Sequence, residues 1–470
     1  MRNKRFHIPS AIQQAISAEQ AFHYRIVPVA KHGNELVLKT DSSSLSELLA
    51  ELNIVLDSEV QLETCNSEEL QQYLSTNYRQ NKSKESARLD YSVDFLEKIL
   101  IEAKSIGSSD IHFEPYESRC RVRFRLDGKL LEYYSIPSQD YPTMVNKVKI
   151  KAHLDIAEKR LPQDGRITIK SNHGEFDIRV SSLPTLHGEK LVLRILSKDS
   201  GAAELEELGM LPIEFNRYQE GIKKPNGIVL ISGPTGSGKT TTLYATLKQL
   251  NTSHNNILTI EDPIEYTLVG INQVQLKENI GLDFSSSLRT FLRQDPDIIM
   301  VGEIRDVKTA NMAIRAALTG HLVLSTIHTN SAWATVSRLI DMGVPPFLIA
   351  STLNMSVAQR LVRKLCNHCK QEQELDRTAF PMDFDIPKDL KTHHVAAGCN
   401  HCHHTGYEGR KAIYEILPIS KDLTQSIKEN QLDLEHYMND NNISTLKENA
   451  IDLIRLGITS VEEVYSLLSN

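Results

Sequence analysis

The sequence predicts an α/β protein with a mostly parallel central sheet, and two patterns in its 470 residues support that class. From about residue 201, short apolar runs alternate with segments of helical length, which indicates a parallel sheet covered by helices on both faces. Between residues 90 and 200, apolar and polar residues alternate instead, which is typical of strands that bury one face.

Four runs that are apolar at all or nearly all positions are the candidate parallel strands. They are Ile228–Ile231, Ile257–Ile260, Ile298–Val301 and Leu322–Leu324. A predicted helix, Thr241–Leu250, follows the first run. Because the carboxyl ends of parallel strands meet at one edge of a sheet, we expect a ligand site in the loops that follow them.

Two predicted hairpins define the region from 90 to 200. Arg121–Leu126 runs into Asp127-Gly128, which is a turn dipeptide. The second hairpin joins Ile167–Ile169 to Phe176–Val180, and a predicted helix, Tyr141–His153, lies between the two hairpins. Strands and a helix in this order predict a separate α+β domain.

Changes of pattern along the chain predict the domain boundaries. Residues 1–80 form a small N-terminal module, and the polar stretch 81–89 is a linker because it lacks an apolar anchor. The α+β domain spans 90–200 and the α/β domain spans 201–470. Within the latter, 406–470 is expected to be a helical tail.

Composition and charge favour a soluble chain that does not act on nucleic acid. Lys and Arg (53) are outnumbered by Asp and Glu (60), so the formal charge is −7, whereas nucleic-acid proteins are more often basic. No apolar run reaches the roughly 18 residues of a membrane span, and the N-terminus carries no signal-peptide core. We therefore expect a cytoplasmic protein whose membrane contact is indirect.

A glycine-rich loop between the first strand and its helix carries the strongest signal. It reads Gly233-Pro234-Thr235-Gly236-Ser237-Gly238-Lys239-Thr240, which fits the pattern G-x-x-x-x-G-K-[ST]. Such glycines let backbone N–H groups surround phosphate oxygens, while Lys239 supplies charge to the β- and γ-phosphates and the Thr240 hydroxyl can ligate Mg²⁺. With Thr241 at the helix start, the loop predicts an ATP-binding site; a chance glycine-rich turn is the alternative.

Carboxylates and histidines follow the other three predicted strands. Glu265 follows the second strand, Glu303 the third and His328 the fourth. Hydrolysis of ATP needs a magnesium partner and a group that orients water, and the carboxylates at these strand ends are the candidates. His328 and His321 are candidate γ-phosphate sensors, although a structural role for His321 is equally open. A helix N-cap or a solvated loop is the alternative for each carboxylate.

Several motifs, in order, resemble those of the type II/type IV secretion ATPases, and more narrowly the GspE/PilB branch that powers type II secretion and type IV pilus extension. Besides the P-loop, they are Glu261-Asp262-Pro263-Ile264-Glu265, Arg289-Thr290-Phe291-Leu292-Arg293-Gln294-Asp295-Pro296-Asp297, Val301-Gly302-Glu303-Ile304-Arg305-Asp306, and Thr319-Gly320-His321 with His328-Thr329-Asn330. The resemblance extends from about residue 90 onward.

The resemblance implies a RecA-like P-loop NTPase core, a PAS-like fold for the α+β domain, and a hexameric ring at the bacterial inner membrane. It also implies that Glu265 orients water and that Glu303 serves magnesium, with Lys239 and His328 in the same catalytic set. Arginines of the α+β domain would act as fingers on the γ-phosphate, and Arg123 and Arg125 are the candidates. Their alternation also fits the charged, exposed face of a strand.

Two cysteine pairs predict a structural zinc site inside an insertion that spans 363–405. Cys366 with Cys369 and Cys399 with Cys402 form two Cys-x-x-Cys chelates, which together suit closed tetrahedral Zn²⁺. Haem attachment and redox thiols are the alternatives, the former because a histidine follows Cys402. The resemblance implies the same zinc knuckle.

These features predict a motor that uses ATP with Mg²⁺ and holds a structural Zn²⁺. The resemblance implies that it couples hydrolysis to pseudopilus or pilus assembly. It also implies two partners, an inner-membrane platform protein and the cytoplasmic domain of a membrane-anchoring protein, on which the 1–80 module would dock. A RecA-type nucleic-acid motor is the alternative, but one tryptophan and 6% aromatic residues offer little for its stacking channel.

Overall fold

The computed structural model describes residues 8, 12, 15–32, 35–42, 44–56, 59–67, 69–70, 73–74, 95–171, 174–196, 203–429 and 434–469. By its contacts the chain divides into two compact units. One comprises residues 1–98, 113–123 and 131–142, and the other comprises residues 99–112, 124–130 and 143–470. The predicted linker, 81–89, lies outside the described residues.

Helices and strands are numbered here in chain order. The helices α1 to α14 are Ala18–His23, Leu45–Val55, Phe95–Ser105, Tyr141–Lys151, Pro212–Ile222, Lys239–Leu250, Phe284–Phe291, Val307–Leu318, Ala334–Asp341, Pro346–Thr352, Lys421–Glu429, Leu434–Asp440, Leu446–Arg455 and Val461–Leu468. The strands β1 to β18 are Ile26–His32, Glu35–Thr40, Glu59–Thr64, Asp110–Pro115, Arg119–Leu126, Lys129–Pro137, Gln163–Ser171, Gly174–Thr185, Gly188–Leu196, Gly227–Ser232, Ile257–Glu261, Asn272–Gln275, Ile298–Val301, Leu322–Ile327, Leu353–Leu365, Gln371–Glu374, Thr392–Val395 and Tyr407–Pro418.

The N-terminal part of the chain contains a three-stranded sheet in the order β1-β2-β3. Strands β1 and β2 form an antiparallel hairpin, and α2 then crosses over so that β3 pairs with β2 in parallel. Ile26, Leu38 and Leu52 are fully buried between the sheet and its helices. This module therefore has a small apolar core of its own.

Strands β4 to β9 form a six-stranded sheet in the order β6-β5-β4-β9-β8-β7. The predicted turn between β5 and β6 is confirmed, since Asp127 and Gly128 both have positive φ angles, of 46° and 85°. The second predicted hairpin is also confirmed, because β7 pairs antiparallel with β8 and places Ile167 opposite Ile178. Helix α4 begins at Tyr141 as predicted and ends two residues before the predicted end at His153.

The central sheet has seven strands in the order β12-β11-β13-β14-β10-β15-β18. All neighbouring pairs are parallel except β15 and β18. Side chains of β10 alternate between two cores, because Ile228 and Leu230 pack into one cluster while Val229 and Ile231 pack into another. The prediction of a mostly parallel sheet with both faces covered is thus confirmed.

The C-terminal part of the sheet differs from the prediction. A helical tail was expected over 406–470, but Tyr407–Pro418 is strand β18, so this part of the prediction is wrong. The reason is that Ile413, Tyr414 and Ile416 favour an extended backbone and are buried by pairing with β15. Strand β15, which the apolar runs did not reveal, thereby becomes an interior strand.

We expect Leu230→Ala to destabilise the protein by about 2–5 kcal/mol, because it leaves a cavity beneath a strand paired on both sides. Leu230 is fully buried, whereas Met382 is 92% exposed and provides the control Met382→Ala. The measurement is the urea midpoint of the transition that includes the central sheet. Equal midpoints for the two variants would contradict the central place given to β10.

Candidate active site and metal centre

The register of the parallel strands brings the predicted site loops together. Ser232, at the end of β10, pairs with Ile327 on β14 and with Ala358 on β15. The P-loop starts directly after Ser232, and His328 directly follows Ile327. The edge formed by the carboxyl ends of these strands therefore brings together the P-loop, the loop that begins at His328 (called here the histidine loop) and the middle of β15.

The P-loop has a backbone shaped by glycine. Gly236 and Gly238 adopt positive φ angles of 81° and 89°, which most side chains disfavour. Gly238 is the N-cap of α6, so the helix starts at Lys239 and its first free N–H groups face the loop. Thr240 is exposed at this helix start. The arrangement is suited to binding phosphate through backbone N–H groups and the helix dipole.

Lys239 lies inside the curve of the loop. Its Nζ donates to the carbonyl oxygens of Gly233 and Pro234, at 2.7 and 3.1 Å. Burial lowers the pKa of Lys239; the carboxylate of Glu303 acts in the opposite direction, and the guanidinium of Arg360 lowers the pKa further. The ammonium is therefore already desolvated at the place where phosphate oxygens would bind.

Glu303 and His328 lie side by side at the ends of β13 and β14. His328 Nε2 is 3.5 Å from Glu303 Oε2. The guanidinium of Arg305 contacts the other oxygen of Glu303 and is also 3.8 Å from Asp262. Hydrogen bonding to Glu303 raises the pKa of Arg305. A carboxylate, an imidazole and a guanidinium are thus grouped beside the P-loop.

Glu265 lies beside an arginine that the sequence analysis missed. Arg179, on β8, donates from Nη2 to the carbonyl oxygen of Ile264 at 2.7 Å, and its Nη1 is 3.5 Å from Glu265 Oε2. The signal available was a cation on the polar face of the alternating strand Phe176–Val180. That alternation predicts a polar side chain, but it does not reveal which distant carboxylate the side chain meets.

Two residues of β15 contact elements beside the P-loop and were not predicted. The Thr242 hydroxyl, on α6, donates to Gln359 Oε1 at 2.8 Å. Arg360 Nη2 donates to the carbonyl oxygen of Asn330 at 3.1 Å and contacts its side-chain oxygen at 3.3 Å. Because β15 was not recognised as a strand, nothing in the sequence placed these side chains at the site.

The predicted arginine fingers are held by carboxylates. Arg123 Nη2 donates to Glu114 Oε1 at 2.7 Å. Arg125 Nε is 3.2 Å from Asp110 Oδ2, and its Nη1 donates to the carbonyl oxygen of Gly128 at 2.9 Å. Both side chains are partly buried, so they do not form a simple exposed face. Their role on the γ-phosphate stays a prediction.

Two other polar residues complete the ends of helix α8. His321 Nδ1 is 2.8 Å from the carbonyl oxygen of Ala316 and 3.1 Å from the Thr319 hydroxyl, at the end of the helix. Asp306 accepts the backbone N–H of Thr309 at 2.8 Å and is the N-cap of the same helix. The contacts of His321 fit a structural role, and those of Asp306 are the contacts of a helix N-cap.

The four cysteines predicted to bind zinc converge. Their Sγ atoms all lie within 4.8 Å of one another. The Sγ separations are 4.0 Å for Cys366 and Cys399, 3.8 Å for Cys369 and Cys402, and 3.8 Å for Cys399 and Cys402. A tetrahedral zinc ion with Zn–S bonds of about 2.3 Å places its sulfurs about 3.8 Å apart. The four thiols therefore fit Zn²⁺.

Backbone donors support the same centre. Cys402 Sγ accepts N–H groups from Cys399 and Gly406, at 3.3 and 3.2 Å. Gly406 has a φ of 76°, and a Cβ there would lie 2.5 Å from the Cβ of Ala396. N–H groups directed at sulfur stabilise thiolate, the form that binds metal. A closed cluster of four thiols favours the zinc prediction over haem attachment and over a redox pair.

Among the helices of the described residues, none combines the length and the apolar character that crossing a membrane requires.

Comparisons with known proteins agree with the motifs. A family model described as type II/IV secretion system protein matches residues 85–466. The chain is 45% identical over 374 residues to the type II secretion system ATPase E of Vibrio cholerae, a match that covers 79% of this chain and 74% of that protein. It is 40% identical over 479 residues to the type IV pilus assembly ATPase PilB of Acinetobacter baylyi, covering 95% and 82% of the two chains.

Solved structures share the fold. The pilus retraction motor PilT with bound ADP superposes with a TM-score of 0.53 at 26% identity, covering 78% of this chain and 95% of that one. The ATPase DotB of Legionella pneumophila superposes with a TM-score of 0.58 at 23% identity, covering 79% and 94%. With its P-loop and the match over residues 85–466, the chain belongs to the family of type II/IV secretion system proteins.

Proposed function

We propose that this chain is a cytoplasmic ATPase that acts as a hexamer at the inner membrane and couples ATP hydrolysis to pseudopilus or pilus assembly. The observation that most directly supports it is the grouping of the P-loop with Glu303 and His328 at one sheet edge. Relatives at 40–48% identity are named as ATPases of type II secretion and of type IV pilus assembly.

Binding of the triphosphate follows from the loop and the start of α6. Backbone N–H groups and the positive end of the helix hold the phosphate oxygens, and Lys239 exchanges its carbonyl partners for the β- and γ-phosphates. The Thr240 hydroxyl and the Glu303 carboxylate would hold Mg²⁺, which when bound neutralises charge on the phosphates. His328, whose Nε2 is 3.5 Å from Glu303 Oε2, would sense the γ-phosphate.

Glu265 would be the residue that promotes the attack of water on ATP. Its carboxylate orients the attacking water, while preorganised cations stabilise the charge of the transition state. Arg179 brings a guanidinium to Glu265 itself and to the carbonyl oxygen of Ile264. The orientation of Glu265 therefore depends on a strand, β8, that is remote in sequence.

The Cys₄ centre has a structural role in the proposal. Four thiolates leave no open coordination position, so the ion does no chemistry on the substrate. The centre lies where the antiparallel partners β15 and β18 diverge, since Cys366 directly follows β15 and its N–H donates to the carbonyl oxygen of Gly406, directly before β18. Zn²⁺ would fix this junction.

We expect Lys239→Ala to reduce ATP turnover by at least about 100-fold, because an electrostatic contact to the reacting phosphates is lost. Lys248→Ala is the matched control, since Lys248 lies on the same helix but is exposed and pairs with Glu204. The measurement is phosphate release together with titration of a fluorescent ATP analogue. Wild-type turnover by Lys239→Ala would refute the nucleotide site.

Metal analysis of the purified protein should find about one zinc per chain, because the cluster supplies four thiolates to one ion. Cys399→Ser should lower the zinc content and the thermal midpoint. Cys65→Ser is the control, since Cys65 lies outside the cluster. A zinc content that Cys399→Ser leaves unchanged would show that these thiols do not bind the metal.

Stimulation of ATP turnover tests the choice of partner. Vesicles with acidic lipids and the cytoplasmic domain of the membrane-anchoring partner should raise the rate, whereas single-stranded DNA should leave it unchanged because the chain is acidic overall. Zwitterionic vesicles without the partner domain serve as the control. Stimulation by DNA alone would instead support a nucleic-acid motor.

A further inference from the structure

A buried hydroxyl joins the phosphate-binding helix to the loop that carries Glu265. Tyr244 lies on α6, on the helix that begins at Lys239, and is 1% exposed. Its Oη donates to Glu261 Oε2 and accepts the backbone N–H of Glu265, at 3.3 Å. One oxygen therefore connects both ends of the segment Glu261–Glu265 to the helix that starts at the P-loop.

The carboxylate that receives this hydroxyl is fixed from other directions. Glu261 is 3% exposed, and its Oε1 accepts the Thr259 hydroxyl at 2.6 Å and the Gln273 side-chain amide at 3.1 Å. Donors on both oxygens satisfy a buried carboxylate and hold it in one orientation. Glu261 is thus a rigid acceptor for the hydroxyl of Tyr244.

This arrangement decides which of its two hydrogen bonds the Tyr244 hydroxyl donates and which it accepts. Burial, and then hydrogen bonding to Glu261, raise the pKa of Tyr244, so the hydroxyl keeps its proton at neutral pH. Because the hydroxyl directs its O–H bond at the Glu261 carboxylate, an oxygen lone pair is left to accept the N–H of Glu265. The Tyr266 ring packs edge-on at 4.6 Å between centroids and limits rotation of the Tyr244 ring.

The opposite side of the same loop is held by Arg179, which binds the carbonyl oxygen of Ile264 at 2.7 Å. The peptide unit between Ile264 and Glu265 therefore has its carbonyl bound by one side chain and its N–H bound by another. Fixing both ends of a peptide unit fixes the direction in which the next side chain leaves the backbone. For Glu265, that direction decides where its carboxylate lies.

We propose that Tyr244 is a positioning residue for ATP hydrolysis, whose hydroxyl sets the backbone of Glu265 relative to the phosphate-binding helix. This inference rests on the proposed role of Glu265. Tyr244 is buried beneath the loop and acts through the peptide N–H of Glu265, so it affects the orientation of the water-orienting carboxylate and not the affinity for ATP.

The test is Tyr244→Phe, which keeps the ring and removes only the hydroxyl. We expect kcat to fall about 10- to 100-fold, in line with the cost of an error of about 1 Å in catalytic geometry, while KM for ATP changes less than about threefold. Tyr266→Phe is the matched control, because it removes the hydroxyl of the neighbouring ring, and it should keep the wild-type kcat.

A double-mutant cycle separates positioning from general destabilisation. In the Glu265→Gln background, under single-turnover conditions, adding Tyr244→Phe should reduce the rate less than twofold, since the carboxylate that the hydroxyl positions is already absent. A full additional loss in that background would overturn the proposal. So would parallel losses of thermal midpoint and ATP affinity in Tyr244→Phe, because they would indicate a folding defect.

Two variants distinguish the role of Tyr244 from the role of Glu265. If Glu265→Gln hydrolyses ATP at the wild-type rate, Glu265 does not orient the water and the proposed mechanism fails with it. If Glu265→Gln is inactive while Tyr244→Phe keeps the wild-type kcat, the role of Glu265 stands and the positioning role of Tyr244 is refuted.

Discussion

The in-register parallel pairing of the central strands is the constraint on which the candidate site depends. Ser232 pairs with both Ile327 and Ala358, and Val301 pairs with Ser325, so successive loops leave the sheet at the same edge. A shift of one residue would turn each strand's apolar side chains to the opposite core. Both faces of this sheet are packed, so such a shift is strongly disfavoured. Burial of apolar side chains therefore sets the spacing of the charged groups at the edge.

Around that edge, the groups that touch the loops come from elements with no recognisable motif of their own. Gln359 and Arg360 reach the P-loop region from β15, and Arg179 reaches the Glu265 loop from β8. The buried carboxylate of Glu415, on β18, accepts the N–H of Ala332 at 2.7 Å, just beyond the histidine loop. Since a buried polar group is costly when left unpaired, these contacts couple the loop conformations to the strands beneath them.

What the sequence could predict follows from the range of the interactions involved. The P-loop and the Cys-x-x-Cys pairs consist of residues that are close in sequence, so both motifs could be recognised from the sequence alone. Apolar runs also predicted four of the parallel strands, with β13 at its observed bounds, Ile298–Val301. Strand β18 was missed because its pairing with β15 across the cysteine insertion is non-local, and Arg179 was missed because a strand pattern gives the face of a residue but not its distant partner.

The cysteine cluster and the P-loop region both adjoin strand β15, which limits how one can influence the other. Arg360 precedes Cys366 by six residues on an extended backbone, a span of about 20 Å at about 3.3 Å per residue. At that distance the direct charge effect of an ion held by the cysteines is largely screened in water, because the Debye length is about 8 Å. Influence must therefore pass through the pairing of β15 with β10 and β18. Loosening of the cysteine cluster would affect the β15–β18 junction first, and the contacts of Gln359 and Arg360 would change only if that loosening extended along the strand.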